Sequence, residues 1–389
     1  MEIPHMSTGT PKAVRCVEDL EPYTDAQAIS FSDPARKSFL KLNCNEATYP
    51  PSPLVKKRMV EFIEKDCLNW YPDTKSHDLK QALSRHVGFE ASSLSTFNGC
   101  DHALETVCRA YLEKGDEVVM FVPTYDHFRV FAETAGGTVI PVRARSPFES
   151  HVEGLLKVMS PRTKMIYLNN PTNPTGLLYT PEEIDFVLKH SRSALVVVDE
   201  AYIEFGGQSS LPFLRRYPNL IVARSFSKAF ALAGLRCGYL VSDPHTITTL
   251  EKIRNGKNVN SLAQVAATAA LEDLPYYKNQ IRMMQEAKAW FVQEVREMGL
   301  TVIDTVANFV LVHSAFPEEM EKALQAQQVY VRNRSHFAQL QGYLRITVGT
   351  KLEMTKVLNV LGQLKTSPDS KQKTEKLPFH SDSVPLFTA

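Results

Sequence analysis

Short apolar runs recur along the middle of the chain, at residues 117–122, 138–142, 164–168, 194–198, 219–223 and 238–241. Several are continuously apolar rather than alternating, the pattern of strands covered on both faces. Helical spacing fills the gaps. In 101–112 the residues Ala103, Leu104, Val107, Cys108 and Tyr111 keep to one face. Thr180-Pro181-Glu182-Glu183 supplies an N-cap, a proline at the first helical position and a glutamate at the capping-box position, so a helix starts there. Strand–helix alternation of this kind predicts an α/β domain with a mostly parallel sheet. From about residue 256 the order changes, with helical stretches at 262–271 and 277–298 ahead of strands at 307–313 and 343–348 and a helix at 351–363. The expected organisation is an N-terminal arm (1–45), a large α/β domain (46–255) and a smaller α+β domain (256–364). A tail (365–389) rich in Ser, Thr, Lys and Pro closes the chain. It is expected to stay disordered, since it buries too little apolar surface to offset ordering entropy.

Composition narrows the classes. The chain has 389 residues, 43% hydrophobic and 22% charged, enough for a sizeable core. Lys plus Arg is 44 against 43 Asp plus Glu. A net charge of +1 gives no global electrostatic reason to coat nucleic acid or a membrane surface. The 6 cysteines form no CxxC pair, so neither a disulfide framework nor a metal site is expected, and the thiols read as reduced. The first residues read Met-Glu-Ile-Pro-His with no apolar run after them, and no stretch approaches the ~20 apolar residues of a membrane helix. A cytoplasmic protein is expected.

Nucleotide signatures of the G-x-G-x-x-G and G-x-x-x-x-G-K-[ST] kinds are missing, as are G-x-S-x-G and H-E-x-x-H. Four other segments follow strands or open helices, where α/β sheets bind ligands. They are Asn98-Gly99-Cys100-Asp101, Asn170 to Gly176, Asp199-Glu200-Ala201-Tyr202 and Ser225-Phe226-Ser227-Lys228, with Arg236 shortly after the last. Asp199 ends the run Leu195-Val196-Val197-Val198, where a carboxylate is costly to bury unless a cation or strong donor meets it. Lys228 between two serines becomes a nucleophilic amine if desolvated or set beside another cation. Ser225, Ser227 and Arg236 offer hydroxyls and a guanidinium fork to a phosphate, and a helix N-terminus near Asp101 offers backbone amides to the same anion. Taken singly each has a plainer reading: Asp199 caps a helix, Lys228 is a solvated surface amine, and Asn173 serves a turn.

Their order is more specific. Asn173-Pro174-Thr175-Gly176, Asp199-Glu200-Ala201-Tyr202, and Ser225-Phe226-Ser227-Lys228 followed by Ala233-Gly234-Leu235-Arg236 resemble the motifs of class I/II aminotransferases, the fold type I enzymes that use pyridoxal 5′-phosphate. Any given tetrapeptide arises by chance about once in 10⁵ windows, so several in family order are no coincidence. Within that family Leu42-Asn43-Cys44-Asn45-Glu46, Tyr71-Pro72-Asp73 and Leu344 to Thr350 look most like histidinol-phosphate aminotransferases. The resemblance spans about residues 38–363.

It implies that Lys228 holds the cofactor covalently and later shuttles a proton, and that Asp199 keeps the pyridine nitrogen protonated. Asn173 and Tyr202 would donate to the ring's phenolic oxygen, and Tyr125 would stack on the ring. Ser225, Ser227, Arg236 and the amides around Cys100 and Asp101 would hold the phosphate. Tyr71 would reach the phosphate of a neighbouring subunit, which implies a homodimer. Arg345 and Arg332 would bind the substrate's anionic group, and Asn43 would lie on the arm closing the site.

Three departures stand out: Cys100 where Ser or Thr is common, His102 where Glu is usual, and Ala47-Thr48 in place of Asn-Pro. The first two bear on the phosphate cup and the third on the substrate pocket. The expected activity is amino transfer between glutamate and a phosphorylated or polar partner, with histidinol phosphate the default. The alternative is decarboxylation of a phospho-amino acid on the same scaffold, or another specialised biosynthetic reaction with the same cofactor. A cofactor-sensing transcription regulator would need a DNA-binding module, and the roughly 40 residues ahead of the resemblance show neither a helix-turn-helix pattern nor a basic patch.

Overall fold

Residues that alternate inward and outward on a strand can all be apolar only if both faces of the sheet are covered. That is the arrangement in the computed structural model, which describes residues 12–18, 20, 38–65 and 68–366. The elements run α1 (Arg15–Glu18), β1 (Leu40–Lys41), α2 (Pro53–Lys65), α3 (His77–Val87), β2 (Leu94–Phe97), α4 (Gly99–Tyr111), β3 (Glu117–Phe121), α5 (His127–Thr134), β4 (Thr138–Val142), α6 (Val152–Lys157), β5 (Thr163–Asn169), α7 (Pro181–His190), β6 (Leu195–Asp199), β7 (Leu220–Ser225) and β8 (Gly238–Ser242). There follow α8 (Pro244–Glu251), α9 (Ser261–Glu272), α10 (Leu274–Glu297), β9 (Val302–Asp304), β10 (Phe309–His313), α11 (Pro317–Ala326), β11 (Val329–Tyr330), β12 (Arg332–Asn333), β13 (Tyr343–Thr347) and α12 (Lys351–Thr366).

The central sheet has seven strands in the order β2-β8-β7-β6-β5-β3-β4. From β4 to β7 every pairing is parallel, whereas β8 runs antiparallel to both β7 and β2. On β6, Leu195 and Val197 pack with α4 and α5 residues such as Leu104 and Phe128 on one face. Val196 and Val198 pack on the other face with Ile184 and Val187 of α7. All five residues of β6 are buried. The fold expected from the apolar runs is therefore present: an α/β chain with a mostly parallel central sheet.

A second sheet of four strands, β12-β13-β10-β9, is antiparallel. Helices α10 and α11 pack on it and α12 packs on those two helices, while α9 packs on α2 and α3. The segment after the N-terminal stretch is sewn to this region. β1 pairs in parallel with β11, Leu42 N donates to Tyr330 O (2.8 Å), and Thr347 N donates to Leu42 O (2.9 Å).

Several elements carried no periodic signal. β2 reads Leu-Ser-Thr-Phe, polar at its centre, yet it is wholly buried. Its hydroxyls are satisfied internally, Ser95 Oγ donating to Glu251 Oε1 (2.6 Å) and Thr96 Oγ1 to Ser76 Oγ (3.0 Å). Among the described cysteines Cys100, Cys108 and Cys237 are buried, Cys44 is half-buried and Cys16 is exposed, and none is bridged; Cys67 lies outside the described residues. So do residues 1–11 and 21–37 of the expected arm, and the expected tail beyond Thr366. Among the described residues no helix is long and apolar enough to cross a membrane.

The start of α7 is set by the foreseen capping box: Glu183 N donates to Thr180 Oγ1 (3.2 Å) and Thr180 N to Glu183 Oε2 (2.8 Å). Thr180→Ala removes one of these bonds at an exposed helix end. It is expected to lower unfolding stability by about 1 kcal/mol in denaturant titration while leaving activity intact.

Candidate active site

Ligands of parallel sheets gather beyond the carboxyl ends of the strands. Here the register brings four sequence-distant segments to one level. Asn169 at the end of β5 sits opposite Asp199 of β6, and Asp199 opposite Ala223 of β7. Ser225 closes β7 opposite Gly238, and Gly238 faces Phe97, two residues before α4. Beyond these ends lies a cavity of ≈ 390 Å³. Five basic side chains (Lys228, Arg236, Arg332, Arg334, Arg345) and three acidic ones (Glu46, Asp101, Asp199) line it, an excess that favours anionic ligands.

Asp199 is the buried acid. Its Oδ2 accepts from Tyr167 Oη (2.8 Å), and its Oδ1 accepts from Ala201 N (3.1 Å) with Cys100 Sγ at 3.8 Å. Burial pushes its carboxyl up to about 6, against the lowering effect of the Tyr167 and Ala201 hydrogen bonds. The neighbouring Glu200 is wholly buried as well, but it is spent on structure: its Oε2 accepts from Arg224 Nε and Nη2 (3.0 and 2.9 Å).

The anion corner lies where α4 begins. Arg236 Nη2 meets Asp101 Oδ2 (3.0 Å), its Nη1 meets Ser227 Oγ (3.3 Å), and Ser227 N donates to Ser225 Oγ (3.0 Å). Arg236 holds φ +55° and Gly99 φ +83°, both left-handed. A Cβ on Gly99 would run into the Arg236 guanidinium. Only glycine leaves the helix start open to that side chain. Tyr125 Oη donates to Asp101 Oδ1 (2.7 Å), which fixes its ring at the cavity wall.

Lys228 Nζ donates to the Cys44 carbonyl (2.9 Å) and lies 5.8 Å from the centre of the Tyr202 ring. Tyr202 Oη accepts from Asn45 Nδ2 (3.0 Å). Arg345, buried on β13, donates from Nη1 to Asn173 Oδ1 (2.5 Å) and from Nη2 to the Asn43 carbonyl (2.6 Å). The stretch after β1 thus roofs the cavity, the small sheet supplies arginines to one wall, and the large sheet supplies the floor.

The chain matches the family described as aminotransferase class I and II over residues 37–361. It is 34% identical over 352 residues to a dihydroxyacetone phosphate transaminase of Campylobacter jejuni, covering 89% of this chain and 95% of that one. It is 35% identical over 339 residues to a histidinol-phosphate aminotransferase of Geobacter sp., covering 84% and 92%. A crystal structure of histidinol-phosphate aminotransferase from Sinorhizobium meliloti, in complex with pyridoxal-5′-phosphate, superposes with a TM-score of 0.81 at 26% identity, covering 92% and 98% of the two chains. The chain belongs to the class I and II aminotransferases.

In this aminotransferase the residues singled out by motif converge. Lys228, Asp199, Tyr202, Asn173, Tyr125, Ser225, Ser227, Arg236, Cys100, Asp101, Asn43, Arg332 and Arg345 all line the one cavity. Tyr71 does not. It is 75% exposed, with Lys257 Nζ 3.8 Å from its ring centre. Of the departures, Cys100 turns its thiol toward Asp199, and His102 Nδ1 sits 3.2 Å from Asn258 Nδ2. Three further residues escaped the sequence reading: Asn45, Arg334 and Tyr167. Asn45 lay inside a quoted motif, and its role on Tyr202 depends on a left-handed backbone (φ +53°). Arg334 stands two positions beyond Arg332, so the even spacing of a strand was the available signal.

Because burial raises the Asp199 carboxyl from 3.8 to about 6, the cofactor-free chain loses stability as pH rises through that interval. Asp199→Asn removes the buried charge. It is expected to raise the melting point of the cofactor-free chain at about pH 8, by the equivalent of about 1–3 kcal/mol, and to change it little below about pH 4. A variant less stable at both values would show that the carboxylate is held by its neighbours more strongly than burial disfavours it.

Proposed function

We propose that this aminotransferase uses pyridoxal 5′-phosphate and transfers the amino group of a phosphate monoester, histidinol phosphate being the leading substrate and 2-oxoglutarate the acceptor. The observation that carries this reading is the convergence of Lys228, Asp199 and the Ser225–Ser227–Arg236 corner on one cavity. The residues fit that cofactor on two counts. Gly99 lets the Arg236 guanidinium close on the start of α4 beside the Ser227 hydroxyl, a donor set that suits a phosphate, and Asp199, buried between the neutral donors Tyr167 and Ala201 N, suits a protonated ring nitrogen.

Pyridoxal phosphate supplies an aldehyde that condenses with amines and a ring that takes up the electron pair left when a Cα–H bond breaks. Lys228 Nζ would hold the cofactor and, when free, would be the amine that takes up and returns the Cα proton. Asp199 keeps a proton on the ring nitrogen through a charge-assisted hydrogen bond. Asn173 and Tyr202 would donate to the phenolic oxygen, and Tyr125 would cover the ring. Ser225, Ser227, Arg236 and the amides at Cys100 and Asp101 bind the phosphate. Arg345 and Arg332, with Asn43 in the roof, hold the anionic end of the substrate. In this reading 46–255 carries the cofactor and 256–364 the substrate arginines.

The substrates in the relatives' names, histidinol phosphate and dihydroxyacetone phosphate, are both phosphate monoesters, and a cavity with excess basic side chains suits a dianion. Dihydroxyacetone phosphate as acceptor is the second reading, supported by the Campylobacter relative. We place the enzyme in the cytoplasm as a homodimer. The unbridged cysteines support the compartment. The exposed Ile63, Leu68, Trp70 and Tyr71 support a partner-covered surface, from which Tyr71 would reach the neighbouring subunit's phosphate corner.

Mixing the purified yellow protein separately with L-glutamate and with histidinol phosphate tests the reading. Conversion to the pyridoxamine form with release of the keto product is expected. Silence with both amines, or release of CO₂ from a phospho-amino acid, would overturn it. Lys228→Ala is expected to abolish borohydride-trappable cofactor. Arg345→Ala is expected to raise the substrate KM by roughly tenfold to a hundredfold, the loss of a charged bidentate contact, with a smaller effect on cofactor affinity. Equal loss of both affinities would make Arg345 a structural residue.

A further inference from the structure

Tyr167 lies in the middle of β5, fully buried, and its ring stacks on Phe128 of α5 with centroids 3.8 Å apart and planes 9° from parallel. Its hydroxyl reaches across to the neighbouring strand and donates to Asp199 Oδ2 at 2.8 Å. No family motif quoted above contains it, and it does not line the cavity. We propose that Tyr167 is a positioning residue of the active site: its hydroxyl fixes the rotation of the Asp199 carboxylate and stabilises its negative charge toward the cavity. The inference rests on the cofactor reading above.

The geometry leaves the hydroxyl little choice. The stack on Phe128 fixes the plane of the ring and carries Oη to the carboxylate. Asp199 Oδ1 is separately tethered by Ala201 N. With one donor on each oxygen, rotation about the Cβ–Cγ bond breaks both hydrogen bonds. The charged and titratable groups around the carboxylate are Tyr167 from β5, Cys100 and Asp101 from α4, Tyr125 ahead of α5, and Lys228 and Arg236 in the cavity. Cys100 is a weak donor at 3.8 Å, with burial pushing its thiol well up. Asp101 is a like charge that opposes ionisation of Asp199. Tyr167 is therefore the strongest side-chain donor on the anion. Its own hydroxyl is pushed well up, chiefly by burial and also by Asp199, so it stays a donor throughout the working pH range.

The test is Tyr167→Phe in the full-length chain, with pyridoxal phosphate affinity measured by equilibrium dialysis between about pH 6 and about pH 8. Losing a hydrogen bond to a charged group is expected to weaken cofactor binding by about tenfold at the upper pH. It is also expected to steepen the loss toward the lower pH, because Asp199 then takes up a proton sooner. Phe128→Leu removes the stack and keeps the hydroxyl. It is expected to lower the melting point and to move that pH profile less than Tyr167→Phe does, because the hydroxyl is still present to donate. Should Tyr167→Phe fail to fold, 3-fluorotyrosine placed at 167 keeps the shape and strengthens the donor. The loss of cofactor should then move to lower pH. An unchanged affinity and profile in Tyr167→Phe, or an unmoved profile in the fluorinated chain, overturns the proposal. Failure of the unmodified chain to form a borohydride-trappable bond with pyridoxal phosphate overturns instead the reading on which it rests.

Discussion

Asp199 puts a carboxylate at the end of a strand whose four other residues are buried, in the middle of a sheet covered on both faces. An anion there loses most of its hydration, and the rise of its carboxyl to about 6 records that cost. The surroundings read as responses to it. Tyr167 donates from the next strand, Ala201 N donates from the turn that follows, and Cys100 brings a thiol from the first turn of α4. Glu200, the very next residue, faces the same burial and takes the other solution, an ion pair with Arg224 (2.9 Å) that neutralises it in place. Of two adjacent buried acids, one is closed by a cation of the chain itself, and the other opens on a cavity lined by cations.

The walls of that cavity come from three parts of the chain, and backbone hydrogen bonds join them. The stretch at 40–42 is held between β11 and β13, so Asn43, Cys44 and Asn45 pass over the strand ends. The Cys44 carbonyl meets Lys228, the Asn43 carbonyl meets Arg345, and the Asn45 amide meets Tyr202. A short stretch of two-residue pairing is a weak element alone. It persists here because its neighbours Leu42 and Val329 are buried in the main core.

Much of this was legible in the sequence. Continuous apolar runs located six strands of the central sheet, because strands covered on both faces lose the alternation that hides them in a mixed sequence. Chemistry-bearing residues after those runs located the cavity, because parallel strands deliver their carboxyl ends to one edge. What escaped did so for physical reasons. β2 is polar at its centre and is buried through side-chain hydrogen bonds that no periodicity reveals. Tyr167 sits inside an apolar run, where an aromatic residue reads as core, and the packing of its ring on Phe128 agrees with that reading. Only the position of the hydroxyl separates the two roles. Tyr71 showed the converse: its motif was visible, but its side chain is exposed and does not line the cavity of its own chain.

Arg345 links the wall built by the small sheet to the floor built by the large one in a way that side-chain chemistry makes unambiguous. A guanidinium has donors only, so the end of the Asn173 amide that meets Nη1 at 2.5 Å must be the carbonyl oxygen. That assignment fixes the other corner of the amide, Nδ2, as a donor turned away from Arg345. The backbone of Asn173 is itself held, its N donating to Asn169 Oδ1 at 2.7 Å. The strand β13 therefore sets which face of Asn173 presents a donor, although β13 lies in the other sheet and about 170 residues along the chain. Moving Arg345 would release the amide to rotate and exchange a donor for an acceptor on the opposite side. Arg345 thus orders the hydrogen-bonding polarity that Asn173 presents to the cavity.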